Sequence, residues 1–251
     1  MTQNNAIHLE IHDHVAELIL NRPEVLNAEN WQMANEFHEA LDVLERNRDV
    51  SAVVVTGAGR AFCSGIDLKA LAAGEIDLAW FGHVDDAVRR LEQLDALTVA
   101  KIRGYALGGG LQIALACDLR MAANNARLGL PAVLEALIPG MGTYRLPRFI
   151  GLGRARRMVL TGETISAPEA LNIGLVDWAV PEGQLDSTVA SLIAGVLKGS
   201  AAARKYSKRL VSAAFESAYE DVFPKYLEYQ QECLRSPDHQ SAMAEYRARK
   251  K

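Results

Sequence analysis

Cysteine is scarce in this chain: three in 251 residues, Cys63, Cys117 and Cys233, with no Cys-x-x-Cys pair. Such spacing points to neither a disulfide framework nor a zinc site. Basic runs are as scarce. Beyond the Arg-Lys-Lys at 249–251 there are none, and the formal net charge is −4. That argues against nucleic acid as the main partner. No apolar run approaches the roughly 20 residues of a membrane span, so no membrane partner is expected. The start, Met-Thr-Gln-Asn-Asn, lacks the charged and apolar stretches of a secretory signal. The expectation is a soluble cytoplasmic enzyme without a resident metal or cofactor.

What the chain does have is 49% hydrophobic residues, enough for a substantial core in one or two domains. Its organising stretch is Lys101-Ile-Arg-Gly-Tyr-Ala-Leu-Gly108-Gly109-Gly110-Leu-Gln112-Ile-Ala-Leu-Ala. A short apolar strand turns through three glycines into a small-residue helix over 111–116. Consecutive glycines are costly in backbone entropy and make sense where a backbone must approach something closely. A helix start also carries unpaired N–H groups and a positive dipole end, suited to an anion or a developing oxyanion. The alternative is that the glycines only let the helix pack tightly on a strand. A second glycine region, Val53-Val-Val-Thr-Gly57-Ala-Gly59-Arg-Ala-Phe-Cys-Ser64-Gly65-Ile66-Asp67, offers another tight turn with backbone donors. A dinucleotide-binding reading of Gly57-Ala-Gly59 fails, since the third glycine is absent and no helix follows directly.

Period-2 alternation predicts strands over 7–11 and 15–20. Asn27 can cap a helix over 29–47 with Trp31, Ala34, Phe37, Leu41 and Leu44 as its apolar stripe. A buried-type strand spans 51–56, a polar linker 70–77, and a helix 78–97. Further elements are a strand over 119–122 and helices over 154–160, 167–172, 185–197 and 201–214. Another strand covers 176–180. Ser166 and Pro168 are placed to start the 167–172 helix. His83 reads as a solvated helix histidine, and Phe215, Tyr219, Phe223, Tyr226 and Tyr229 as a core or subunit-contact stripe. Mixed strands and helices imply an α/β layered fold.

The pairing of Gly-x-Gly-Arg-Ala-Phe-x-Ser-Gly-x-Asp-Leu with Gly-Tyr-Ala-x-Gly-Gly-Gly resembles the crotonase superfamily, the enoyl-CoA hydratase/isomerase group. Asn21-Arg-Pro23, Leu26-Asn27-Ala28, Ile138-Pro-Gly140, Arg145-Leu-Pro-Arg148 and Gly162-Glu-x-Ile-Ser-Ala167 extend the resemblance along most of the chain. It implies a spiral of ββα units over 1–195 and a C-terminal helical lid and trimerisation region over 196–251. The assembly would be a homo-trimer or hexamer. The substrate would be an acyl-CoA thioester, with no other cofactor. By the same resemblance Ile66 and Gly109 supply the two N–H groups of an oxyanion hole. Ala61 and Ser64 present carbonyls to the adenine, and Ile66, Asp67, Leu68 and Lys69 line the pantetheine, with Leu26 and Ala28 opposite. Lys208, Arg247, Lys250 and Lys251 are candidate partners for CoA phosphates, or simply solvated. Asp67 is read as anchoring its own turn.

The sequence departs from the family's hydratases at both catalytic glutamates. One position is Gln112, the other Ala132. Hydration needs one group to take a proton from water and one to give a proton to the α-carbon. Glutamine cannot take a proton near neutrality and alanine does neither. Glu135, one helical turn beyond Ala132, could stand in, or be an exposed loop residue. Tyr144 could serve as an acid, or pack at a subunit contact. Gln112 could orient water or the acyl group, or be buried with its amide satisfied. The expectation is a CoA-thioester enzyme of the lyase or isomerase kind that is a poor hydratase. The alternatives are a decarboxylase or hydrolase variant, or a degenerate paralogue that only binds.

Overall fold

The computed structural model describes residues 5–249. Lys250 and Lys251, read above as candidate phosphate partners, lie outside them, as does most of the N-terminal segment. The chain divides into two compact units, the first ending at Ser191 and the second beginning at Leu192.

The first unit opens with the strands β1 (Ile7–His12) and β2 (Val15–Leu20), paired antiparallel. Helix α1 (Trp31–Arg46) crosses over to β3 (Ala52–Gly57). The short α2 (Leu68–Ala72) and α3 (Leu78–Gln93) lead to β4 (Leu97–Ile102) and β5 (Tyr105–Leu107). Helix α4 (Gly109–Ala116), β6 (Leu119–Ala123) and β7 (Arg127–Gly129) follow. Then come α5 (Gly142–Thr161), β8 (Thr164–Ser166), α6 (Ala167–Asn172), β9 (Trp178–Val180) and α7 (Leu185–Val196), within which the first unit ends. One sheet has the order β1-β2-β3-β4-β6-β9, parallel from β2 onward, and a smaller one the order β5-β7-β8. Every residue of β3 is buried, as a strand covered on both faces requires.

The second unit holds α8 (Ala201–Ala213), α9 (Tyr219–Arg235) and α10 (Pro237–Arg249). Lys208 lies on α8 and Arg247 on α10. Its aromatic stripe is not core: Phe215, Tyr219, Phe223 and Tyr226 are exposed, between 42% and 72%.

Several boundaries differ from those the sequence predicts. Asn30, not Asn27, caps α1, accepting from the Met33 N–H at 3.0 Å. Asn27 sits fully buried at φ 58° and serves elsewhere. The linker after Lys69 begins as α2, because the Asp67 carboxylate caps the Lys69 and Ala70 N–H groups. Helix α3 ends at Gln93, leaving Leu97 to start β4. Helix α4 starts at Gly109 rather than Leu111, so two of the three glycines belong to its first turn. Helix α5 begins at Gly142, with a break at Gly151, and carries Tyr144 in its first turn.

Candidate active site

The parallel strands β2 and β3 of the large sheet, and β5 of the small one, each lead into a loop of the site. Their following loops are stitched together by the backbone. Residues 26–29 lie along 64–67: Ser64 N–H donates to Leu26 O, Glu29 N–H to Gly65 O, and Asp67 N–H to Glu29 O. Residues 62–63 lie along 103–107, with Cys63 N–H donating to Tyr105 O and Leu107 N–H to Cys63 O. Asn27 locks the assembly. Its Oδ1 accepts from the Arg22 N–H at 2.8 Å, and its Nδ2 is shared among the carbonyls of Ala58, Ala61 and Phe62 at 2.9–3.1 Å. Arg22 reaches Asp67 Oδ2 at 3.1 Å. Burial opposes ionisation of Asp67, but the Ala70 N–H and Arg22 outweigh it and hold its carboxyl below the usual range.

These loops wall a cavity of about 480 Å³ in the first unit. Of the residues the sequence singles out, it brings together Leu26, Ala28, Ser64, Ile66, Asp67, Leu68, Lys69, Gly109, Gln112, Ala132 and Glu135. Two stay outside. Ala61 is buried under Asn27, which already engages its carbonyl. Tyr144 is 44% exposed and pairs with Arg148, ring against guanidinium, rather than facing the cavity. Glu135 ends a 3₁₀ turn over Pro131–Glu135 and is exposed at the cavity edge.

Each of the three central glycines has its own reason. Gly108 takes φ 53° at the N-cap of α4. A Cβ on Gly110 would fall 2.3 Å from the Cys63 carbonyl, and one on Gly109 only 1.7 Å from Glu29 Oε2. Gly65, at φ 92°, packs against Gly108 and Gly109, so the turn carrying Ile66 abuts the start of α4. Among the described residues, neither the Ile66 N–H nor the Gly109 N–H donates to a protein acceptor. Gly108 N–H, by contrast, is spent on Gly129 O and Gly65 N–H on the Cys63 sulfur.

Gln112 is buried, and its Oε1 accepts from the Gly142 N–H at 2.9 Å. Its amide oxygen is therefore committed to holding α4 against the start of α5. Near it, Asp85 Oδ2 and the Gln112 amide converge on Gly140, each within 3.2 Å of where a Cβ would stand.

Besides the exposed Glu24, two further carboxyls line the cavity, Glu29 and Asp85. Glu29 is 4% exposed and its Oε1 has no hydrogen-bond partner among the described residues. Burial, and then the nearby charge of Asp85, push its carboxyl up to about 8. Asp85 is also raised: burial outweighs the Met141 N–H and Arg145, whose Nη1 stands 3.9 Å away. The Trp80 indole N–H, on the same wall, is likewise buried without a partner among the described residues.

A family model described as enoyl-CoA hydratase/isomerase matches residues 10–251. The chain belongs to the enoyl-CoA hydratase/isomerase family. It is 35% identical to the short-chain-enoyl-CoA hydratase of Clostridium acetobutylicum, over 100% of this chain and 97% of that one. It superposes on the enoyl-CoA hydratase of Bacillus anthracis with a TM-score of 0.92 and 30% identity, covering 97% and 96% of the two chains. Pseudomonas aeruginosa DspI gives a TM-score of 0.90 and 31% identity over 99% and 96%. The fold is thus the crotonase-like α/β fold that the glycine motifs imply.

Sequence reasoning missed Glu29 and Asp85. Glu29 follows Leu26-Asn27-Ala28 directly and reads as an ordinary acidic start to α1. Nothing in the linear pattern says that it is buried. Asp85 carried a weak signal: four residues after Phe81 and three before Val88, it interrupts the apolar face of α3.

Proposed function

We propose that this family member binds acyl-CoA thioesters and stabilises an enolate, its thioester oxygen held by the Ile66 and Gly109 N–H groups. The observation that carries this reading is the pair of unspent amides on adjoining turns, both opening on one cavity. A carbonyl oxygen that gains negative charge between two fixed donors is stabilised without any reorganisation, and each donor of this kind is worth about 10²–10³ in rate. Residues 66–69 with Leu26 and Ala28 offer a wall for the pantetheine, and the mostly apolar surface of Phe81, Val84, Leu137 and Ile138 suits an acyl chain. Assembly into trimers or hexamers belongs to the same reading.

Within it, efficient hydration of an enoyl-CoA is not expected. Positions 112 and 132 carry no carboxylate, and acid–base catalysis of this kind is worth about 10²–10⁴. The commitment of Gln112 to the Gly142 N–H supports a structural role for that side chain. Crotonyl-CoA hydration should fall at least about 100-fold below that of a relative with both glutamates. Turnover equal to such a relative would contradict the reading.

The competing reading, a CoA-thioester binder without turnover, is favoured by the same two substitutions. Incubation with a panel of enoyl-, β-keto- and malonyl-type CoA esters, followed by mass spectrometry, separates the two. Binding with no product from any ester would establish the second.

A further inference from the structure

The cavity holds a carboxyl that the motif residues do not account for. Glu29 straddles both halves of the two-amide turn. Its backbone is zipped to the Ile66 turn through the Gly65 carbonyl and the Asp67 N–H. Its side chain fills the space in front of Gly109, with Oε2 1.7 Å from where a Cβ of that residue would be. The group is 4% exposed, yet Oε1 has no partner among the described residues, and the residue lines the cavity. A carboxyl in an apolar wall, short of a hydrogen bond, is costly to keep. Burial of this kind is what a proton-transfer group needs, because it brings a carboxyl's proton affinity toward neutral pH.

We propose that Glu29 is the group that exchanges protons with the α-carbon of a bound acyl-CoA thioester. This rests on the reading above, since it needs the thioester oxygen at the Ile66 and Gly109 amides. An acyl group anchored there would have its α-carbon one bond from the carbonyl carbon, within reach of the Glu29 carboxyl that fills the space at Gly109. In the step, the α C–H bond breaks and its electron pair forms the C=C bond of the enolate. The carbonyl π pair moves to the oxygen held by the two amides, and the proton goes to a Glu29 oxygen. The reverse step returns a proton to carbon. In deuterated water the acid exchanges its proton with solvent, and the returned isotope is deuterium. No oxidant, reductant or second substrate is consumed.

The groups that face Glu29 are few. Asp85, on α3, raises its proton affinity, and Arg145, on α5, stands behind Asp85 with Glu92 on its other side. Cys63 lies beneath, with its thiol pushed well up by burial and so neutral. Arg22 is engaged by Asp67. Asp85 is therefore the neighbour whose removal should retune Glu29.

The test is α-proton exchange of butyryl-CoA in deuterated water, followed by mass spectrometry, with binding measured separately by calorimetry. The intact protein should bind the ester and exchange its α-protons far above the protein-free rate. The rate should rise with pH and level off above about 8, where Glu29 is the free base. Glu29→Gln should bind butyryl-CoA with affinity near that of the parent and lose exchange by about 10²-fold or more. Its melting temperature should equal or exceed the parent's, which a residue kept for structure alone would not give. Asp85→Asn should move the rise in exchange to lower pH, and this readout stands even if Glu29→Gln folds poorly. Unchanged exchange in Glu29→Gln overturns the proposal, as does a parent that binds the ester without exchanging it. A pH profile unmoved by Asp85→Asn also counts against it. Failure to bind butyryl-CoA at all would instead overturn the thioester reading on which it rests.

Discussion

A glycine is retained where its missing side chain has a competitor for the space, and the kind of competitor sets the cost of replacing it. At Gly109 the competitor is the movable end of a side chain, the Glu29 carboxyl; at Gly110 it is the Cys63 backbone carbonyl, 2.3 Å from the Cβ position. Gly109→Ala should therefore destabilise by about 1–3 kcal/mol, the usual cost of overpacking. Truncating Glu29 to Ala in the same chain should recover most of that loss. Gly110→Ala should cost at least as much and show no recovery with Glu29→Ala. Denaturant unfolding of the two double-mutant cycles measures both couplings. Additive values for the Gly109 and Glu29 pair would place the carboxyl elsewhere. The sequence announces that three glycines sit at a helix start. It does not say what each one makes room for, because the competing groups lie about 80 and 47 residues earlier in the chain.

At the scale of elements, the loops after β2, β3 and β5 carry the site, and one buried asparagine joins them. Asn27→Ala would leave the Arg22 N–H and at least two loop carbonyls without partners. Orphaned buried polar groups cost about 1–3 kcal/mol each. A loss of about 2–4 kcal/mol is expected, with weakened acyl-CoA binding because residues 57–67 lose their support. Calorimetric unfolding and ligand titration check it; a fall in stability below 1 kcal/mol would show the loops to be held by other contacts. Strands β1, β2, β3, β6 and β9, with α1, α3 and the capped α6, are legible from period and capping residues; the three-residue β5, β7 and β8 are too short to show a period. Ser166 caps α6 by accepting from the Glu169 N–H at 3.3 Å, as its position implies. The Asn27 role was not legible, since a residue of the right type before a helix reads as its cap. Only the fold reveals that Asn30 takes that task while Asn27 turns inward. Tyr144 fails for a similar reason: its helix begins earlier than its sequence suggests, and its ring goes to Arg148 instead.

Across the whole molecule, the raised proton affinity of Glu29 makes stability depend on pH with a definite sign. Its carboxyl is pushed up to about 8 in the folded chain, from an ordinary value of 4.5. Between those values the folded state keeps a proton that the unfolded state has released. Stability from this group is thus fully present at low pH, falls as pH rises through that window, and is flat above it. Asp85, raised in the same direction, adds to the slope. Chemical denaturation at pH 6 and pH 9 should show the advantage of Glu29→Gln over the parent growing with pH; an advantage that shrank would mean the carboxyl is stabilised as an anion. The fold class and most of the cavity wall follow from motifs that survive in a linear reading, because glycine turns and capped helices are local. The acid–base group does not, because its character comes from burial by distant residues. The Ile66 and Gly109 amides should polarise the carbonyl of a bound thioester. Difference infrared spectroscopy of butyryl-CoA labelled with ¹³C at the carbonyl tests this most directly. The bound C=O band is predicted to move to lower frequency than in free ester; an unshifted band in a demonstrably bound complex would contradict it.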